Sequence, residues 1–297
     1  MPQKPETHSL NTMSSPLAAP AAATSLWRSG TLEPRDDCDV APATLEVADS
    51  WLVTDGETRG LELHRERFLG SIPRERATAL DADAFWDAAV ASIPRSGSWF
   101  PRVELREQHA APQLLFRLRP APELHRSIVL APHRGRDPRT APTVKGPDLA
   151  AMVRLRTEAQ AHGADEAVLL DPDGHLVEGA TTSIVWWEGG TLCVVDRSVP
   201  RIPSTTERTI VALATALGIP VDERLVRPAE LDGCEVWAVN ALHGIRIVTA
   251  WHSGPATAEE PDRLARWRLR LDTLRRPLPD RPEPAPAAGG EWDGTPA

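Results

Sequence analysis

Lysine is almost missing from this chain. Of its 33 basic residues two are lysines, Lys4 and Lys145, and 31 are arginines. Arginine serves wherever the task is a solvated positive charge, but its guanidinium stays protonated, whereas an amine can lose its proton and attack. Composition leaves two readings of Lys145 in "TVKGPDL" open, a residual surface lysine or a lysine kept for amine chemistry. Cysteine is scarce as well. Cys38, Cys193 and Cys234 are odd in number and form neither a CxxC pair nor a His-spaced cluster, so no disulfide framework and no metal site is suggested, and a reducing, cytoplasmic setting is expected. No run approaches the roughly 18 apolar residues of a membrane span, and the first 25 residues lack the charged-then-apolar layout of a secretory signal. A basic face is missing too: the net charge is −9, which argues against a nucleic-acid partner bound by phosphate neutralisation.

The 297 residues suffice for one large or two ordinary domains, and 41% hydrophobic with 25% charged residues fits a soluble globular protein. Residues 1–25 are rich in Pro, Ala, Ser and Thr without periodicity and read as a disordered head, and residues 275–297 read as a disordered Pro-rich tail. Between them, residues 26–140 mix short strands with helices. "TLEVADSWLVTDGETRGLELH" gives two strand-like runs around a turn at Asp55-Gly56. "ELHRERFLGSI" and "DADAFWDAAVASI" have helical spacing, the second opened by Asp81 or Asp83. "PRVELRE" with "PQLLFRLRP" forms a strand pair, and "RSIVLAP" a further strand counted with this lobe.

Residues 141–274 form a second, larger lobe. The helix "DLAAMVRLRTEAQAHG" follows Lys145 and is closed by Gly163. "EAVLLD", "LVEGATTSIVWWEGG" and "TLCVVD" are β segments separated by Gly-containing turns. The helix "TTERTIVALATALG" is capped by Ser204 or Thr205. Three more strands and the helix "PDRLARWRLRLDTL" complete an α+β chain of two lobes, and clefts between lobes are where ligands usually bind.

Four landmarks in a fixed order carry a resemblance to a known family. Lys145 opens a helix into the second lobe. About 33 residues later comes Glu178-Gly-Ala-Thr-Thr-Ser183, next "IPSTTERTIVALA", and last "WAVNALHGIRIV", while "TDGETRGLELHRERF" stands upstream. From about Ala48 to Val248 the sequence resembles the class IV aminotransferases, fold type IV enzymes dependent on pyridoxal 5′-phosphate (PLP), among them branched-chain and D-amino-acid aminotransferases and 4-amino-4-deoxychorismate lyase. The resemblance implies the two-lobed, D-amino-acid aminotransferase-like fold and a homodimer. It makes Lys145 the cofactor-bearing lysine, Glu178 the acid beside the pyridine nitrogen, and Arg67 of the His-x-x-Arg helix the phosphate anchor. Ser204, Thr205 and Thr206 correspond to the phosphate turn, and Asn240 and Ala241 to the late phosphate-contacting turn. Ser183 stands where the family has Asn, Ser204 where it has Gly, and Ala241 where it has Ser or Thr. Tyrosine is absent, so no tyrosine can meet the cofactor's ring hydroxyl.

Each implied role suits its residue type. A partly desolvated lysine has the lowered pKa needed to attack an aldehyde and to move protons at an α-carbon. A carboxylate beside the pyridine nitrogen keeps it protonated, so the ring can act as an electron sink. Backbone N–H groups at a helix start, hydroxyls and one cation suit a phosphate. For the carboxylate of an amino-acid or 2-oxo-acid substrate, "PRVELRE" offers Arg102 and Arg106, with Arg106 favoured, and His243 and Arg246 are further candidates. Amino transfer is the expected activity. A 4-amino-4-deoxychorismate lyase, which expels pyruvate, and a homologue that binds PLP or a phosphate without turnover are the alternatives.

Overall fold

The computed structural model describes residues 22–35 and 42–280. Lys4, Cys38 and the expected tails up to residue 21 and beyond residue 280 lie outside the described residues. In chain order the first part contains β1 (Ala23–Arg28), β2 (Thr31–Pro34), β3 (Ala43–Ser50), β4 (Val53–Thr54), β5 (Glu57–Thr58), α1 (Leu61–Gly70), α2 (Arg74–Ala79), α3 (Ala82–Ala91), β6 (Ser98–Trp99), β7 (Arg102–Gln108) and β8 (Ala111–Leu118). The second contains β9 (Ser127–Pro132), α4 (Leu149–Ala161), β10 (Glu166–Leu170), β11 (Leu176–Gly179), β12 (Ser183–Glu188), β13 (Thr191–Val195), α5 (Thr205–Ala216), β14 (Val221–Arg224), β15 (Glu235–Asn240), β16 (Gly244–Trp251), α6 (Arg263–Asp272) and β17 (Arg276–Pro277).

The smaller lobe is an antiparallel sheet ordered β2-β1-β8-β7-β3. Alternation along β7 sends Val103 and Leu105 into its core and Arg102, Glu104 and Arg106 to the opposite face. Onto the apolar face packs α3, whose Ala82, Phe85, Trp86, Ala89 and Val90 recur at helical spacing. The Asp55-Gly56 turn joins β4 to β5 as the sequence predicts. Both residues have positive φ, 49° and 78°, the requirement of a tight two-residue hairpin that Asp-Gly meets at little strain.

The larger lobe is a mixed eight-stranded sheet ordered β11-β10-β9-β16-β15-β12-β13-β14. The strand β9, expected in the first lobe, lies here. It runs parallel to both β10 and β16, a pairing between distant segments that no local pattern announces. On one side α6 presents Leu264, Trp267 and Leu271. Trp267 meets Trp187 and Trp237 edge-on, with ring centroids 5.4 and 5.8 Å away.

Two expected tail boundaries also move. Ala23–Ser25, assigned to the head, pair with Phe116–Leu118 of β8. Arg276–Pro277, assigned to the tail, pair with β5, and Leu278 is buried in the small-lobe core, its N–H donating to Gly56 O at 2.8 Å. Both segments are short and Pro- or Ala-rich, so only their long-range pairing marks them as strands.

Candidate functional site

A cavity of about 330 Å³ lies between the lobes, and Lys145 is in its wall. Two ties hold the lysine's backbone. Asp148, at the start of α4, does not cap that helix with its side chain. Its carboxylate instead accepts from Thr140 N–H (2.9 Å), Thr140 Oγ1 (2.8 Å) and Ala141 N–H (2.9 Å), closing the loop around Lys145. From the other lobe, Ala48 N–H of β3 donates to Lys145 O at 2.7 Å. Gly146 makes that approach possible. Its φ is 151°, and a Cβ there would stand 2.8 Å from Val47 Cα and 2.9 Å from Glu46 O, both backbone atoms. Gly146→Ala is expected to push α4 off β3, destabilising the fold by about 1–3 kcal/mol in urea titration, as overpacking does, and weakening whatever Lys145 holds.

The amine's surroundings depress its basicity. Burial in the cleft and the nearby Arg67 guanidinium bring Lys145 from 10.5 down to about 8, against the opposing pull of Asp49 and Glu178. Glu178, at the end of β11, is buried. Burial pushes its carboxyl up to about 7, although Arg139 opposes the shift. Arg139 ion-pairs with Glu178 through Nη1, donates to Asp137 (Nη2 to Oδ2, 2.7 Å) and reaches Pro200 O at 3.2 Å. The acid is thus fixed by a guanidinium whose donors are already engaged.

At the start of α5 an anion cup is built. Ser204 is the N-cap, its Oγ accepting from Glu207 N–H at 3.2 Å. The remaining N–H groups of the first turn, on Thr205 and Thr206, have no intrahelical acceptor, and the helix dipole adds positive potential there. Arg67 of α1 donates to Pro203 O at 2.9 Å, just ahead of this turn. Asp49 of β3 aims the guanidinium by accepting Arg67 Nε at 2.7 Å and Nη2 at 2.8 Å. Asp49 also accepts from His64 Nδ1 at 2.8 Å, and His64 Nε2 lies 3.3 Å from Thr205 Oγ1. Burial would raise the Asp49 carboxyl, yet Arg67 and His64 hold it far below the usual carboxylate range. Burial also lowers His64, which keeps its ring neutral. The Nδ1–H tautomer follows from the Asp49 bond, so Thr205 Oγ1 donates to Nε2.

The structure brings most of the expected residues together. Lys145, Arg67, Glu178, Ser183, Ser204, Thr205, Asn240, Ala241, Arg102 and His243 all line the cavity. Thr206 lines a small neighbouring cavity of about 20 Å³ that shares Thr205 and Ala241 with the main one. Asn240 braces the site, with Nδ2 donating to Thr181 O at 3.3 Å and Oδ1 accepting His243 N–H at 2.8 Å. Arg106 is the correction. It is absent from the cavity wall, four residues along β7 from Arg102; both arginines pair with Glu104, Arg106 Nε 2.5 Å from Oε2 and Arg102 Nε 2.8 Å from Oε1, so only the position along the strand separates them. Arg102 is in the wall, with Arg119 nearby, whose guanidinium stands 5.3 Å from the centre of the Phe100 ring. Asp49, Arg119, Arg139 and Arg156 were not singled out from the sequence. Only the His-x-x-Arg spacing pointed toward His64.

Amine, acid and anion cup facing one cavity between an antiparallel lobe and a mixed-sheet lobe define a fold type IV architecture, and solved structures agree. A fold IV-transaminase from Curtobacterium pusillum superposes with a TM-score of 0.70 at 20% identity, covering 84% of this chain and 99% of that one. The branched-chain aminotransferase of Thermoproteus uzoniensis gives 0.71 at 19%, covering 85% and 95%. A putative 4-amino-4-deoxychorismate lyase from Legionella pneumophila gives 0.65 at 15%, covering 79% and 92%. At such identities the likeness is one of fold. The chain belongs to the amino-transferase class IV family, whose profile matches residues 46–251. Among curated proteins, the branched-chain-amino-acid aminotransferase of Escherichia coli is 27% identical over 132 residues, 40% of this chain and 42% of the relative. The match thus spans less than half the length of that relative.

Proposed function

We propose that the protein is a PLP-dependent class IV aminotransferase that moves an amino group between an amino acid and a 2-oxo acid. The observation that carries this reading is a single cavity walled by a depressed lysine amine, a buried glutamate and an arginine-backed helix N-terminus. These donors fit PLP by their chemistry. Arg67 and the first-turn N–H groups of α5 would hold its phosphate, Glu178 its pyridine nitrogen, and Lys145 its aldehyde carbon. When bound, PLP supplies an aldehyde for amine exchange and a ring that draws electrons from the substrate's α-carbon.

The chain's own residues supply positioning and proton movement. Lys145 Nζ, neutral above about pH 8, takes the proton from the substrate α-carbon and returns it elsewhere. Arg139 keeps the Glu178 carboxylate oriented. Asp49 and His64 fix Arg67 and Thr205 at the phosphate. Arg102 meets the substrate carboxylate. A homodimer in the cytoplasm is part of the same proposal. It is supported by the family resemblance; among the described residues no helix is long and apolar enough to cross a membrane.

The test is spectroscopic. PLP added to the purified protein is expected to give a borohydride-sensitive band near the visible edge, followed by amino exchange with amino-acid donors. No band would overturn the reading. Pyruvate release in place of exchange would make it a lyase, and a band without exchange with any donor would make it a non-catalytic homologue. Capture should also depend on pH. Because the protonated amine cannot attack, the capture rate is expected to rise through about pH 8, whereas an ordinary lysine would place that rise near 10.5. Stopped-flow absorbance between pH 6 and 10 checks it.

A further inference from the structure

Arginines outnumber acids on the back of the anion cup. Arg59, between β5 and α1, donates through Nη1 to Asp272 Oδ1 of α6 at 3.1 Å, and its side chain is 16% exposed. Asp272 is shared. Arg275 reaches the same oxygen through Nη2 at 3.2 Å and Nε at 3.4 Å, and Arg268 lies within the field of the same carboxylate. One half-exposed acid thus serves three guanidinium groups. Burial and Arg275 bring Arg59 down to about 10, although Asp272 opposes the shift. Among the described residues, the guanidinium makes no hydrogen bond besides the one to Asp272, so Nε and Nη2 keep their donors.

Arg59 lines the cavity of about 20 Å³ beside the start of α5, together with His64, Thr205, Thr206, Thr209 and Ala241. Such a space holds about one water-sized oxygen. Two of the hydroxyls on its wall are engaged, Thr209 Oγ1 with Thr205 O at 2.8 Å and Thr205 Oγ1 with His64 Nε2. Thr206 differs. It is 8% exposed, and its hydroxyl has no hydrogen bond among the described residues. A hydroxyl and a guanidinium, each with unused donors and each withdrawn from solvent, therefore share one small space. Leaving such donors unmet is unfavourable.

Gly244 lets the guanidinium lie there. Its φ is 68°, and a Cβ on it would stand 3.1 Å from Arg59 Nη2 and 3.3 Å from Nη1. The arginine rests on the backbone just past Ala241, the position where the family resemblance calls for a hydroxyl. The small cavity shares Thr205 and Ala241 with the main one, whereas Arg67 lines only the main one. A phosphate presents several acceptor oxygens, so Arg67 and the first-turn N–H groups of α5 leave room for a further donor.

We propose that Arg59 is a second cation of the phosphate cup, which with Thr206 Oγ1 meets one phosphate oxygen at the small cavity. The inference rests on the aminotransferase reading and adds a cofactor-binding residue to it. The guanidinium supplies, beside Ala241, the donor that an alanine side chain lacks. Asp272 then competes with the phosphate for Arg59.

That competition separates the assignment from a structural role. If Arg59 only ties α6 to the small lobe, Asp272→Asn and Arg59→Met break the same tie and act alike. PLP and pyridoxal, which share aldehyde and ring and differ in the phosphate, are titrated against the apoprotein by equilibrium dialysis. Arg59→Met is expected to weaken PLP about tenfold, the scale of one hydrogen bond to a charged group, and to leave pyridoxal unchanged. Arg59→Lys should restore most of that loss, and Asp272→Asn should bind PLP as tightly as the wild type or more tightly. An equal loss for PLP and pyridoxal in Arg59→Met, undiminished PLP affinity in that variant, or the same loss in Asp272→Asn would overturn the assignment. Inorganic phosphate gives an arm independent of Lys145. Its stabilisation of the apoprotein, read as a rise in the unfolding midpoint, should be smaller in Arg59→Met than in the wild type. A wild-type protein that shows this Arg59-dependent response but gains no PLP absorption band would overturn the aminotransferase reading and retain Arg59 as an anion ligand.

Discussion

Lys145→Ala is expected to abolish the PLP absorption band and to lower amino exchange by about 10³-fold or more, since one side chain serves as both nucleophile and proton carrier. The sharper variant is Lys145→Arg. In a chain that writes 31 of its 33 basic residues as arginine, an ordinary cationic role would survive that exchange, and an amine role would not. Loss of the band in both variants therefore identifies the amine itself. A stability signature should accompany it. The folded-state value of Lys145, about 8, lies below its ordinary 10.5, so between those limits the unfolded chain binds more protons than the folded one. Stability of the apoprotein then rises with pH across this window, and Lys145→Ala should lack that share of the rise. Urea unfolding at pH 8 and pH 10 measures the difference.

The second large effect is expected from Asp49→Ala. Asp49 is fully buried and accepts from both Arg67 and His64. Removing it leaves a guanidinium held only through Nη1 by Pro203 O, and a buried imidazole whose Nδ1–H has lost its acceptor. Breaking a buried pair in this way costs about 3–5 kcal/mol, read as a lower urea midpoint. Affinity for PLP should fall at least tenfold because the phosphate anchor is no longer held. Asp49→Asn, which keeps one acceptor oxygen without the charge, should fall between. Full PLP affinity in Asp49→Ala would show that Arg67 needs no aiming.

What the sequence disclosed divides by the range of the physics involved. Lys145 was legible because its residue type is rare here, Ser204 because N-caps have a preferred residue type, and the Asp55-Gly56 hairpin because its backbone angles favour those residues. Asp49 gave no such signal. Within "VADS" it reads as one more polar residue of an alternating strand, and its partners lie 15 and 18 residues away. Arg139 meets Glu178 across 39 residues, and helical spacing alone does not tell whether Arg156 faces solvent or the cleft. Alternation correctly put Arg102 and Arg106 on one face of β7, but the choice between them depends on where the other lobe comes down on that face.

The hydrogen-bonded chain from Arg67 and Asp49 through His64 to Thr205 crosses from one lobe to the other, and Arg67 makes a second crossing to Pro203. A phosphate seated in this cup would be held by α1 on one side and by α5 on the other. It would act as a cross-link between the two halves of the molecule as well as a handle on the cofactor. Rigidity of the cleft and retention of the cofactor then become one property, set by the same few side chains.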